Sequence, residues 1–181
     1  NWDDTLSWSA TTGGLSIGNF LPTNVDNVIF DNNSGLASAA SIVTMNIPVV
    51  VNDFDYSLAP NIFTFSSVLA SIEIQGSFSC NGLANFTWLG DIRMNSTIAG
   101  NSITTNGQAF NHNFYFIGTE TVEILDDLTT LKSIFVNQGG LVSNNTTISC
   151  LDFDASSTNA KSIDIDNSIL IFEEAQNSTP S

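Results

Sequence analysis

Val49-Val50-Val51-Asn52-Asp53-Phe54-Asp55-Tyr56-Ser57-Leu58-Ala59-Pro60-Asn61-Ile62-Phe63-Thr64-Phe65 reads as a strand, a turn of small residues and a second strand. The later stretch 148–165 can be laid over it with about one residue of slippage, Phe153-Asp154 matching Phe54-Asp55. Phe30-Asp31 ends a strand in the same way, and 116–122 and 135–141 are variants of the same unit. Apolar residues alternate with polar ones in each, the period of a strand rather than of a helix. Further runs are Val28-Ile29-Phe30, Ile72-Glu73-Ile74, Phe86-Thr87-Trp88, Phe114-Tyr115-Phe116, Val122-Glu123-Ile124, Ser133-Ile134-Phe135-Val136 and Ser168-Ile169-Leu170-Ile171-Phe172. Helical residues are expected only as a turn at 35–40 or 173–176. A strand-turn-strand unit returning about every 20 to 27 residues suits a β-solenoid, in which each rung buries its inward side chains only against the rungs above and below. Asn, Gly, Ser and Asp suit the corners because they accept left-handed conformations or close local hydrogen bonds.

The sequence therefore predicts an all-β parallel β-helix, right-handed by the rule for parallel crossovers. Residues 1–24 are expected to be an N-terminal capping segment, 25–172 the rungs, and 173–181 a polar tail or linker to the rest of a longer chain. A β-sandwich, which also has many short strands, is the alternative. Hairpin dipeptides are few, with Asn-Gly at Asn81-Gly82 and Asn106-Gly107 alone, and this favours the solenoid.

Composition narrows function. The 181 residues carry 18 Asp plus Glu against 3 Lys plus Arg, a net charge of −15, yet only 12% are charged. With 42% hydrophobic residues and 13 Phe the chain has the means to fold. Its 63 Asn, Ser and Thr supply solubility through amides and hydroxyls. Arg93, Lys132 and Lys161 are too few to neutralise a row of phosphates, which excludes nucleic acid and makes anionic membrane an improbable partner. No apolar run approaches the roughly 20 residues that span a bilayer, so membrane insertion is not expected.

The opening Trp2-Asp3-Asp4-Thr5-Leu6-Ser7-Trp8-Ser9, then Gly13-Gly14, then Pro22-Thr23, Asp26 and Val28-Ile29-Phe30-Asp31, resembles the start of β-solenoid modules in very large surface proteins of Bacteroidetes. Stretches 100–110, 122–128 and 139–145 are similar to the same family. The resemblance implies export by the type 9 secretion system and display at the cell surface, in proteins that include gliding-motility adhesins. It brings no catalytic residues. The partners it implies are neighbouring domains of one long chain and the secretion machinery; the neutral polar flank of the coils suits hydrogen bonding to surface glycans.

Within that frame Trp2, Trp8, Leu15, Ile17 and Phe20 are expected to close the first coil, since an open solenoid end exposes sheet edges and core. The alternative for Trp2 and Trp8 is a sugar-stacking platform. His112, in Asn111-His112-Asn113, reads as a surface or corner residue. Cys80 and Cys150 match no metal or redox spacing and are read as buried small apolar side chains or as one disulfide. The pairs Asp53/Asp55, Asp152/Asp154 and Asp164/Asp166 each place two carboxylates on one face of a strand. Paired carboxylates can serve a glycosidase, but these pairs recur with the repeat instead of gathering, so no catalysis is expected. Calcium is their other use. Asp152, Asp154, Asp164 and Asp166 are the first choice of ligands, with Asn167 beside them, and Asp126-Asp127 the second. The reading is a noncatalytic extracellular stalk or adhesin; its rival is a β-helix that binds or processes carbohydrate.

Overall fold

The computed structural model describes residues 1–11, 13–16, 18, 20–36, 38, 40–67, 71–87 and 90–173. The chain winds through short strands, three to a circuit, and every third strand pairs with its predecessor. The first position of the circuit forms one sheet from β1 (Val28–Ile29), β4 (Phe54–Asp55), β7 (Phe78–Ser79), β10 (Asn101–Thr104), β13 (Thr121–Ile124), β16 (Gly139–Ser143) and β19 (Lys161–Asp164). At the second position two sheets follow one another. They are β2 (Ile42–Thr44), β5 (Thr64–Ser66) and β8 (Asn85–Phe86), then β11 (Ala109–Phe110), β14 (Leu128–Thr130), β17 (Thr147–Cys150) and β20 (Ile169–Phe172). The third position holds β3 (Val49–Val51), β6 (Ile72–Ile74), β9 (Ile92–Met94), β12 (Phe114–Phe116), β15 (Ser133–Val136) and β18 (Asp152–Asp154). All these pairings are parallel, as a β-solenoid requires and a sandwich does not. About six circuits at about 4.8 Å per rung give a body about 30 Å long.

Following one column, Val28 meets Phe54, Phe54 meets Phe78 and Phe78 meets Ile103, whereas Ile124 meets Ser143. In this column successive rungs are roughly 24 to 26 residues apart at the start and roughly 19 to 22 later, whereas the second and third positions keep roughly 20 to 23 from the start. The core follows this taper. Phe30, Phe54, Tyr56, Phe63, Phe65 and Phe78 fill the wide early coils, while Val122, Leu128, Ile134, Leu141 and Ile148 fill the narrower later ones. The early rings meet mostly edge-on or tilted, for example Phe63 and Phe65 at 4.8 Å and 68°.

The register corrects the sequence overlay. Phe54-Asp55 lies on β4 at the first position of the circuit, whereas Phe153-Asp154 lies on β18 at the third. Phe30 likewise follows β1 and is not the counterpart of Phe54, since Val28 is. Corner-plus-strand units look alike at all three positions because each must turn the chain by the same means, so local similarity does not reveal which position a unit occupies. The expected helical turn at 35–40 does not form among its described residues, and 174–176 lies outside them; Trp88 does too. The one helical element described is the 3₁₀ turn Thr5–Ser7, whose N-terminus is closed by Asp4 accepting from Leu6 N–H at 3.0 Å. No described helix is long and apolar enough to cross a membrane.

At the first coil Trp2 is 2% exposed, edge-on to Trp8 at 4.7 Å and beside Phe54 at 6.2 Å. Its main-chain N–H donates to Thr44 O at 2.7 Å, and Trp8 Nε1 donates to Trp2 O at 2.8 Å. Such burial leaves Trp2 no face for a sugar. Leu15 does not join them: the turn closed by Gly14 N–H on Thr11 O carries it outward, 90% exposed. Phe20 is half-buried and Ile17 lies outside the described residues.

His112 is not at the surface. Alternation runs unbroken through Phe110, His112, Phe114 and Phe116, so the imidazole points inward, buried, with Nδ1 bonded to Gly90 O at 3.0 Å and its ring edge-on to Phe86. Burial pushes its pKa below the usual 6.5. The unfolded chain takes up this proton at a higher pH than the folded one does. Stability is therefore full above about pH 6.5 and falls as pH drops through the folded pKa. Melting curves from pH 7.5 to 5.5 are expected to shift to lower temperature on the acid side, and a His112→Leu variant should lose that slope. A flat profile for the parent chain over this range would contradict the buried placement.

Cys80 and Cys150 are both buried and free. Burial raises both thiols, Cys150 to about 11, so neither is poised as a nucleophile.

Candidate functional site

Side chains alternate along a strand, so the third-position sheet presents a second set of residues outward. In Ile72-Glu73-Ile74, Ile92-Arg93-Met94, Phe114-Tyr115-Phe116 and Ile134-Phe135-Val136 the flanking residues are buried and the central one is partly exposed. Register then lines up Glu73, Arg93, Tyr115, Phe135 and Asp154 on successive rungs. Tyr115 and Phe135 stack with centroids 4.6 Å apart and planes 11° from parallel. On the preceding rung the Arg93 guanidinium carbon lies 5.5 Å from the Tyr115 centroid, within cation–π range.

Polar side chains border this line. Arg93 Nη2 pairs with Asp91 Oδ2 at 3.4 Å, and Asn113 Nδ2 donates to Asp91 Oδ1 at 3.1 Å. Asn95 Nδ2 donates to Glu73 Oε1 at 2.7 Å. Partial burial raises the Tyr115 phenol above its ordinary pKa; the Asp91 carboxylate adds to this and Arg93 opposes it. The phenol is therefore a neutral hydroxyl at physiological pH. The surface offers ring faces, amides and one guanidinium whose charge is compensated within the line.

The carboxylates singled out in the sequence lie apart. Asp152 and Asp154 are on β18, while Asp164 is on β19 and Asp166 in the turn after it, at another position of the circuit. Asp154 Oδ1 accepts from Ser156 N–H at 2.7 Å, and bonds from Ser156 hold its carboxyl below the usual pKa. Asp164 Oδ1 accepts from Asp166 N–H at 3.3 Å. Among the described residues no group of three or more His, Cys, Asp or Glu side chains is placed to hold a metal ion.

Elsewhere the corner carboxylates close gaps between rungs. Asp53 accepts from Ser77 N–H at 2.7 Å. Asp126 accepts from Thr105 N–H at 2.7 Å through Oδ1 and from Asn106 N–H at 2.6 Å through Oδ2, and Asp127 accepts from Thr147 N–H at 2.7 Å. Amides act alike: Asn81, Asn101 and Asn106 donate to the carbonyls of Ala59, Gln75 and Cys80 on preceding rungs. Charge-assisted bonds of this kind are worth more than neutral ones, so Asp126→Ala should cost about 2 kcal/mol. Denaturant titration checks this, and a midpoint equal to that of the parent chain would contradict the stitching role.

The line Arg93-Tyr115-Phe135 was not read from the sequence, although its signal is there: an aromatic or charged residue between two apolar ones on a period-two strand must face out. No protein family, curated protein or solved structure matches this chain.

Proposed function

We propose that this chain is a noncatalytic segment of an extracellular surface protein, acting as a stiff stalk or adhesive module. The observation that carries the reading is the use of the corner side chains: Asp53, Asp126, Asp127 and the Asn series spend their polar atoms on backbone groups of adjacent rungs. Carboxylates bound in this way hold coils together, a structural use that supports the noncatalytic reading. Placement outside the cell, export by the type 9 route and neighbouring domains in one long chain rest on the opening motif around Trp2 and Trp8. Three cations in 181 residues leave few tryptic sites, which suits an exposed location.

Incubation with a panel of neutral and acidic polysaccharides, followed by a reducing-end assay and by ultraviolet absorbance for unsaturated products, tests the reading. No product is expected from any substrate. Turnover abolished by Asp126→Asn or Asp154→Asn would overturn it in favour of a carbohydrate-processing β-helix.

A further inference from the structure

Asn81-Gly82 and Asn106-Gly107, the two Asn-Gly dipeptides of the sequence, stand one above the other at the same corner. Ser79 pairs with Thr104, and the same offset carried two residues further sets Asn81 beneath Asn106. Each side-chain amide reaches down one rung, Asn81 Nδ2 donating to Ala59 O at 2.8 Å and Asn106 Nδ2 to Cys80 O at 2.6 Å. Their upper faces differ. The Asn106 carbonyl lies so close over Gly82 that a Cβ there would stand 2.3 Å from its oxygen, whereas nothing lies within 4 Å of a Cβ added to Gly107. Register gives the reason: Ile103 pairs with Ile124 and Ala109 with Thr129, so the corner above is one residue shorter and leaves Gly107 uncovered. Gly107 instead borders an open hollow lined by Leu125, Asp126, Asn144 and Asn145.

The bonds that hold the two dipeptides differ as well. Asn81 is half-buried and fixed through both ends of its amide, since Oδ1 also accepts from Leu83 N–H at 2.9 Å. Asn106 and Gly107 are exposed, with φ of +49° and +77°, in a turn closed by Gln108 N–H on Thr105 O at 3.0 Å. Loosening them breaks two hydrogen bonds at the corner, Asn106 Nδ2 to Cys80 O and Gly107 N–H to Thr105 Oγ1, and moves them into open space. Loosening Asn81-Gly82 requires in addition that the rung above lift, so local opening favours the upper dipeptide.

Glycine after asparagine leaves the main-chain nitrogen unhindered by a side chain. We infer that Asn106-Gly107 is a self-modifying site, which deamidates in the folded protein and loosens its corner, while Asn81-Gly82 is held unreacted. Gly107 N gives up its proton to solvent base and bonds to Asn106 Cγ. The Cγ–Nδ2 bond breaks, and the departing nitrogen takes a proton from water and leaves as ammonia. Water then opens the cyclic imide at either carbonyl, leaving aspartate or isoaspartate at position 106. Either product removes the donor over Cys80 O and puts a second carboxylate beside Asp126, whose Oδ2 accepts from Asn106 N–H at 2.6 Å. The corner thus loses a stitch between rungs and gains a repulsion.

Ageing the chain at mildly alkaline pH with and without urea, followed by chymotrypsin and mass spectrometry, tests this, since a cut after Phe86 separates the two sites. In the folded chain the Asn106 peptide should gain the mass difference between a hydroxyl and an amine at least fivefold faster than the Asn81 peptide. In urea the two should convert at rates within twofold of each other. Gly107→Ala, whose methyl group hinders the attacking nitrogen, should slow conversion at Asn106 at least tenfold and leave Asn81 unchanged. Circular dichroism melts report whether it folds; should it not, Asn106→Gln, which lengthens the ring to be closed, takes its place with the same slowing expected. The aged chain and Asn106→Asp should both melt below the parent. Conversion in the folded chain as fast at Asn81 as at Asn106, or at neither site once urea has converted both, would overturn the inference. So would conversion at Asn106 undiminished in the folded variant, or a converted chain that melts with the parent.

Discussion

Gly118→Ala is expected to destabilise the protein by about 4 kcal/mol or more, lowering its melting temperature by about 10 °C. Gly118 is buried directly over the preceding rung, where its N–H reaches Met94 O at 3.3 Å. A methyl group there would overlap the backbone O and N of Ser96 and lie 2.6 Å from Asn95 C. Those atoms belong to a hydrogen-bonded rung and cannot swing aside as a flexible side chain would, so two rungs must separate. Gly107→Ala is the matched comparison. Its φ of +77° is strained for alanine but nothing lies within 4 Å of the added carbon, so its cost should be about 1 to 2 kcal/mol. Thermal unfolding of the two variants side by side checks the ranking. A Gly118→Ala melt within 2 °C of the parent's would contradict the rung spacing described here.

Phe65→Ala is expected to cost about 3 to 5 kcal/mol. The Phe65 ring is fully buried and lies between 4.8 and 5.6 Å from Phe30, Phe54, Tyr56, Phe63 and Phe86, so its removal leaves a cavity bordered by five rings. Each rung touches only its neighbours, and the loss should be felt first by the wide aromatic coils. Hydrogen exchange should quicken in β3 to β8 while β13 to β17 keep their protection. Uniform loss of protection along the chain would show instead that the solenoid unfolds as one unit.

The inward face of the fold was legible because period-two alternation names it directly. Ile72, Ile74, Phe114, Phe116, Ile134 and Val136 are all buried as their spacing demands. What alternation omits is the position of a strand in the circuit. Phe54-Asp55 and Phe153-Asp154 share chemistry yet belong to different sheets, since loops of unequal length separate the rungs. His112 was misplaced for a related reason: two flanking asparagines imitate a turn, although the phase from Phe110 to Phe114 carries the residue inward. Of the Asp-x-Asp pairs only Asp152/Asp154 lies within one strand, since Asp53 precedes β4 and Asp166 follows β19, and the backbone N–H groups that Asp126 and Asp127 accept come from other rungs, about 20 residues away. For the same reason the line through Arg93, Tyr115 and Phe135 emerges only when rungs are stacked. Each of its members is an ordinary exposed residue on its own strand.

Pulling the chain from its two ends in a single-molecule experiment tests the mechanical reading most directly. A stitched solenoid should resist and then lengthen in discrete steps. Each step should be one rung or a small multiple of it, about 70 Å for a rung of about 20 residues at about 3.5 Å per residue. Smooth extension without steps, at forces no greater than those that stretch an unfolded chain, would contradict a stalk built from rungs joined through Asp53, Asp126, Asp127 and the corner asparagines.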